Sequence, residues 1–130
     1  MEINEFTPGR SCWSELMISD TKKAGDFYSQ LFGWEKHEQD MGGMQYTMFV
    51  QGDVPVAGMM TLPPEAGEAP PHWMLYFSVG DCDENVERAT KMGARVCAPP
   101  MDIPTVGRRA VLMGPQGAAF SIIKLDQQPC

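Results

Sequence analysis

Residues 12–18 read as a short, mostly apolar run of the kind that forms a strand, and Ser19-Asp20 then supplies a helix N-cap. From Thr21 onward Ala24, Phe27, Tyr28 and Leu31 recur at the three- and four-residue spacing of one helix face, and Gly33 stops the helix. Three strand candidates follow at 34–38, 45–50 and 54–60, separated by Gly42-Gly43 and Gly52-Asp53. The same order then returns. Residues 73–79 are again strand-like, Asp81 with Glu84 forms a capping box, and Val86, Ala89 and Met92 keep helical spacing up to Gly93. Strand candidates at 95–98, 108–113 and 119–125 complete the second set, punctuated by Pro99-Pro100 and by the tight turn Gly114-Pro115-Gln116-Gly117.

Asp20 answers to Asp81 and Gly33 to Gly93, an offset of about 60 residues in both cases. Between the copies lies the Pro- and Gly-rich stretch 63–71, a flexible hinge by composition. The expected fold is α+β, with residues 1–130 forming one domain of two βαβββ modules, about 10–62 and about 72–125. One short helix cannot cover both faces of a module's sheet. Side by side, two modules give a curved eight-stranded mixed sheet around a cup, helices outside. A concave inner face of that kind suits a small molecule.

Composition narrows the function classes. An apolar share of 43% and a charged share of 21% in 130 residues are those of a globular chain rather than a disordered one. Lys plus Arg is 10 against 17 for Asp plus Glu, a net charge of −7, which disfavours nucleic acid and anionic membrane as partners. No apolar run approaches the ~20 residues of a membrane span, and Met1-Glu2-Ile3-Asn4-Glu5 lacks a signal-peptide pattern, so the expected compartment is the cytoplasm. The four cysteines Cys12, Cys82, Cys97 and Cys130 show no C-x-x-C spacing, which argues against structural zinc. They read as small hydrophobes, with Cys130 an exposed thiol at the end. No P-loop, dinucleotide fingerprint or nucleophile elbow occurs. Histidine is confined to His37 and His72, whereas there are 11 methionines.

Trp13-x-Glu15-Leu16, Asp20 and Phe27-Tyr28-x-x-Leu31-Phe32-Gly33-Trp34 resemble the opening of the vicinal oxygen chelate superfamily, which holds glyoxalase I, bleomycin resistance proteins and extradiol dioxygenases. Val56-Ala57-Gly58-Met59-Met60, Pro71-His72-Trp73-x-x-Tyr76-Phe77 and Gly107-Arg108 are most similar to its branch of bacterial glyoxalase-like proteins related to the CFP30-type antigen of mycobacteria. The resemblance runs from about Thr7 to Leu125. It implies homodimers or domain-swapped pairs as partners. It also implies a metal site in the metal-dependent members: His on the first strand, Glu on the fourth, His on the fifth, Glu on the eighth. Here those positions fall at Trp13, near Met59, at Met74 and at Ser121, and no Asp or Glu lies between Asp53 and Glu65 or between Asp102 and Asp126. No cofactor is therefore expected. A divalent metal stays open only through Glu15 and His72, too few ligands for a tight site.

Alternation turns Trp13, Glu15 and Met17 toward the cup and Leu16 and Ile18 toward the helix. The expected ligand-binding set is Trp13, Glu15, Met17, Met59, His72, Met74, Tyr76, Arg108 and Ser121. Glu15 is the candidate general base and Tyr76 a candidate hydrogen-bond donor to substrate. Against these stand structural roles: Glu15 held by a tyrosine hydroxyl or by an arginine such as Arg108, His72 capping its strand, Tyr76 as core. Arg108 and Arg109 are neighbours on a strand, so only one faces inward. Met48, Met92 and Met113 read as core fillers, Phe32 and Trp34 as packing for the first helix, and Trp73 as core on the helix side. Three functions stay open: a metal-independent binder of an apolar or aromatic small molecule, a metal-dependent lyase or dioxygenase of glyoxalase I type, and a metal-free isomerase or lyase with Glu15 as base.

Overall fold

The computed structural model of the chain describes residues 6–40, 45–62 and 69–126. The element order is β1 (Ser11–Ile18), α1 (Thr21–Phe32), β2 (Glu35–Asp40), β3 (Gln45–Gln51), β4 (Val54–Thr61), β5 (His72–Ser78), α2 (Cys82–Lys91), β6 (Arg95–Ile103), β7 (Gly107–Met113) and β8 (Ala119–Leu125). Two βαβββ series of mixed strands make this an α+β protein, as the repeat implies. Two compact units are present, one over Trp13–Trp73 and one over residues up to 12 together with those from 74 onward. The hinge expected at 63–71, the Gly42-Gly43 turn, Cys130 and residues 1–5 lie wholly or mostly outside the described residues.

In the first unit the strands run in the order β2-β3-β4-β1, with β1 and β4 parallel and the other pairs antiparallel. Asp20 Oδ1 accepts the Lys23 N–H at 3.0 Å, which satisfies one of the orphan donors of α1. At its other end Gly33 is left-handed (φ 73°) and donates its N–H to the Ser29 carbonyl at 2.8 Å, a conformation that costs glycine little. The apolar stripe of the helix meets one face of the sheet. Ala24 and Tyr28 join Leu16, Phe49, Ala57 and Met59, and the Trp34 ring lies tilted against the Phe49 ring at 5.2 Å. Burial of side chains this size stabilises by about 1.5–3 kcal/mol each. Trp34 therefore has its expected role, while Phe32 stays half exposed and rests 4.8 Å from Trp34. Trp73 lies on the helix side as expected but is partly exposed, edge-on to Tyr28 at 5.3 Å.

The second unit repeats the plan with strand order β5-β8-β7-β6. Asp81 Oδ1 accepts the Glu84 N–H at 3.0 Å, and Cys82, Val86 and Ala89 bring α2 onto Ala110, Leu112 and Ile122. Residues before β1 are tied in by Gly9 N–H to Ser78 O and Ser78 N–H to Arg10 O. Two expectations are overturned here. Met92 is 74% exposed rather than core, because a three-residue spacing drifts about 60° per step on a helix and carries it off the Val86 face. Pro99-Pro100 does not end β6, which continues to Ile103 with register breaks on both sides of Ala98. At a strand with a neighbour on one side only, missing N–H groups leave no partner unsatisfied.

Candidate functional site

Strand register settles which side chains face away from the helices. In the first unit Glu15 lies opposite Gly58, Leu16 opposite Met59 and Met17 opposite Met60. Leu16 packs beneath α1, so Trp13, Glu15 and Met17 present the other face, as expected, and all three are buried. Met59 does not. It shares the Leu16 side and belongs to the helix-side core, so it is withdrawn from the ligand-binding set. The strand V-P-V-A-G-M-M-T is nearly uniformly apolar and carries no alternation that could fix its phase.

Gly58 takes the place beside Glu15, and it is glycine for a spatial reason. A Cβ there would overlap the Tyr46 hydroxyl. Tyr46, on β3, uses the space to bring Oη within 2.8 Å of Trp13 Nε1, which donates to it in a buried hydrogen bond. Met48 lies opposite Gly58 and is buried on this same face rather than under the helix. The result is an apolar wall of Trp13, Met17 and Met48 with two polar groups set into it, the Tyr46 hydroxyl and the Glu15 carboxylate, the latter 1% exposed. The Arg108 guanidinium is engaged by Asp83 and Asp102. His72 is half buried at the start of β5, and its Nδ1 lies 2.8 Å from the Pro70 carbonyl, the strand-capping geometry. That contact makes Nδ1 the protonated nitrogen, since a carbonyl only accepts.

In the second unit Tyr76 lies opposite Ser121 and Phe77 opposite Ile122. Ile122 packs under α2, so Met74, Tyr76 and Ser121 line the opposite face, again as expected and again buried. Arg108 does not join them. Its Nε donates to Asp83 of α2 at 2.8 Å and its Nη1 to Asp102 of β6 at 3.0 Å, which places it on the helix side. Alternation therefore turns Arg109 to the face of Tyr76 and Ser121. Tyr46, Met48, Gly58 and Arg109 are the residues that sequence reasoning missed as members of these faces. Five consecutive buried residues in β3 hide the phase of Tyr46, and only the partner of Arg108, 25 residues away, separates Arg109 from its neighbour.

The donor set at the four metal positions is an indole, a glycine or thioether, a second thioether and a hydroxyl. Indole nitrogen only donates, and thioethers are poor ligands for the hard and borderline ions that imidazole and carboxylate hold. These residues do not fit the metal of the metal-dependent members. Among the described residues no group of three or more His, Cys, Asp or Glu is placed to share an ion. Nor is any helix among them long and apolar enough to cross a membrane.

Residues 7–122 match the model of the Glyoxalase/Bleomycin resistance protein/Dioxygenase superfamily, and the chain belongs to that superfamily. The mycobacterial CFP32 of Mycobacterium tuberculosis, which carries the name of a glyoxylase, is 40% identical over 123 residues, 94% of this chain and 46% of CFP32. DnrV, named as an anthracycline biosynthesis protein of Streptomyces peucetius, is 39% identical over 129 residues, 98% of this chain and 46% of DnrV. The chain thus spans about half the length of the curated relatives it matches. Among solved structures, a hypothetical protein from Bacillus halodurans C-125 superposes with a TM-score of 0.67 at 11% identity, covering 93% of this chain and 97% of its own. Methylmalonyl-CoA epimerase from Mycobacterium tuberculosis gives 0.62 at 14% identity, covering 98% and 94%. At such identities these structures share the fold.

Proposed function

We propose that the chain is a small-molecule-binding member of the superfamily that takes an apolar or aromatic ligand against the sheet faces turned away from its helices, without the metal of the metal-dependent members. The observation that carries this is the replacement at the metal positions. Where imidazole or carboxylate would be needed, Trp13 stands with Met17 and Met48 on that face of the first unit, and Met74 and Ser121 stand with Tyr76 on that face of the second. Thioethers and aromatic rings adapt to irregular apolar surfaces at little conformational cost. The ligand-bearing form we propose is a cytoplasmic homodimer, with no nucleic-acid or membrane partner, in keeping with the net charge of −7.

Elemental analysis of freshly purified protein, joined to native mass spectrometry, tests the reading. The expected result is less than stoichiometric divalent metal and a saturable apolar or aromatic adduct that quenches Trp13 fluorescence. A divalent ion at one per chain, lost with activity on chelation, sinks it in favour of a lyase or dioxygenase of glyoxalase I type.

A second reading has one observation of its own, the carboxylate of Glu15 buried among Trp13 and Met17. A carboxylate so placed can act as a general base in a metal-free isomerase or lyase, with Tyr76 polarising the substrate. Glu15→Gln separates binder from enzyme. Turnover that falls at least about 100-fold while ligand affinity is kept supports the base; unchanged turnover removes it.

A further inference from the structure

We propose that the second unit carries an oxyanion subsite in which Arg109 and the Ser121 hydroxyl together hold a carboxylate at one end of the ligand. The proposal rests on the ligand-binding reading above and adds the chemistry of the headgroup. Ser121 is 0% exposed, and its Oγ is a buried polar atom with no hydrogen-bond partner among the described residues. Such a hydroxyl costs about 1–3 kcal/mol unless an ordered water or a ligand group meets it. Arg109 gives the second, independent sign. It is half buried and makes no ion pair among the described residues, although acidic residues outnumber basic ones by 17 to 10. Its neighbour Arg108 engages two carboxylates.

Register puts the two groups within one ligand's reach. Arg109 lies opposite Ile123 and Val111 opposite Ser121, so Arg109 and Ser121 are diagonal neighbours on adjacent strands, Cα atoms about 7–8 Å apart. Val111 and Ile123 between them and Met101 opposite Arg109 on β6 are apolar, while Tyr76 and Ser78 on β5, opposite Ser121 and Ile123, carry the neighbouring hydroxyls. A guanidinium fork and a hydroxyl beside apolar side chains match the two oxygens of a carboxylate joined to an apolar body. The net charge of −7 repels anions at a distance, so a local cation is what makes an acid the preferred ligand.

Benzoate and its neutral counterpart benzamide test this by ligand-observed NMR titration of the full chain. The parent protein is expected to bind benzoate at least about 10-fold more tightly than benzamide, the scale of one charge-assisted pair. Arg109→Gln removes that preference. Ser121→Ala weakens benzoate about 3- to 10-fold without lowering the melting temperature, because the lost hydroxyl has no partner in the fold. Arg108→Gln keeps the preference. Equal binding of the two probes by the parent, or an unchanged benzoate affinity in Arg109→Gln, overturns the subsite and leaves the apolar reading standing. A Ser121→Ala protein that melts lower and binds benzoate as well as the parent shows a structural hydroxyl and removes Ser121. Failure of both probes to bind overturns the apolar reading along with the subsite.

Discussion

The two units follow one βαβββ plan, yet different chemistry holds each helix to its sheet. In the first, α1 lies on a ladder of rings, with Tyr28 and Trp34 leading down to Phe49. In the second, the buried contact under α2 is mostly aliphatic, Ala110, Leu112 and Ile122 with Cys82, with a single ring, Phe120, packed against it, and an ion cluster of Arg108, Asp83 and Asp102 is fixed at its rim. The opposite faces differ in the same manner. Trp13 Nε1 donates to the Tyr46 hydroxyl in the first unit, whereas Ser121 Oγ and the Arg109 guanidinium in the second have no protein partner among the described residues. A duplicated fold can thus keep its backbone and divide its labour. The division shows in what joins helix to sheet, and in the paired Trp13 Nε1 of one face against the Ser121 Oγ of the other, unpaired among the described residues.

The comparison breaks first at the cores. Phe49→Ala removes a fully buried ring from the core that Ala24 and Tyr28 of α1 share with Leu16, Ala57 and Met59, and about 3–5 kcal/mol of stability should go with it. Leu112→Ala in the aliphatic core should cost less, about 2–4 kcal/mol. Denaturant unfolding of both variants measures the difference, and equal losses would remove the aromatic ladder as the distinguishing feature. Next comes the thiol at the start of α2, where α1 has Thr21. Burial, reinforced by Asp83 and Asp81, pushes the Cys82 thiol up to about 11. At pH 8 Cys82 should therefore react with a thiol reagent at least about 100-fold more slowly than exposed Cys97, as read by peptide mapping, until the protein is unfolded.

Gly58→Ala should cost about 1–3 kcal/mol by driving a methyl group into the Tyr46 hydroxyl. Adding Tyr46→Phe should recover part of that loss, and a double variant no better than the single one would show that the hydroxyl is not the obstacle. The smallest effect belongs to the ion cluster. Arg108 holds the Asp83 carboxyl below the ordinary carboxylate range through its hydrogen bond, so the pair favours the folded state at neutral pH. That gain is lost as acid protonates Asp83. Arg108→Gln should lower the melting temperature slightly at pH 7, and the gap from the parent should close on acidification and in high salt, because the cluster is exposed.

Much of this was legible in the chain. Asp20 and Gly33, then Asp81 and Glu84, mark helix ends by local hydrogen bonding, and local chemistry is what a sequence states openly. The phase of β1 and β5 came from the resemblance, which set Trp13 and Met74 inward, and alternation carried it to Glu15 and Tyr76. Met59 and Arg108 were not readable. A uniformly apolar strand and a pair of adjacent arginines each look the same in either phase, and the choice is made by residues remote in sequence: Leu16 across β1 for one, Asp83 on α2 for the other. Gly58 illustrates a third limit. A glycine inside a strand signals close approach, but the tyrosine that approaches is on another strand.

The last strands on the two sides, β2 and β6, leave backbone groups that an unrelated extended chain could use for pairing. Each refuses that template by its own means. Along β2, Glu35, Lys36, Glu38 and Asp40 place charge at most steps, so an apolar strand that settled there would strip those groups of water. Along β6, Pro99 and Pro100 offer no N–H, and the register breaks about Ala98 spoil the spacing of what remains. The molecule therefore guards itself against polymerisation at both of its open margins, by hydration on one and by missing donors on the other.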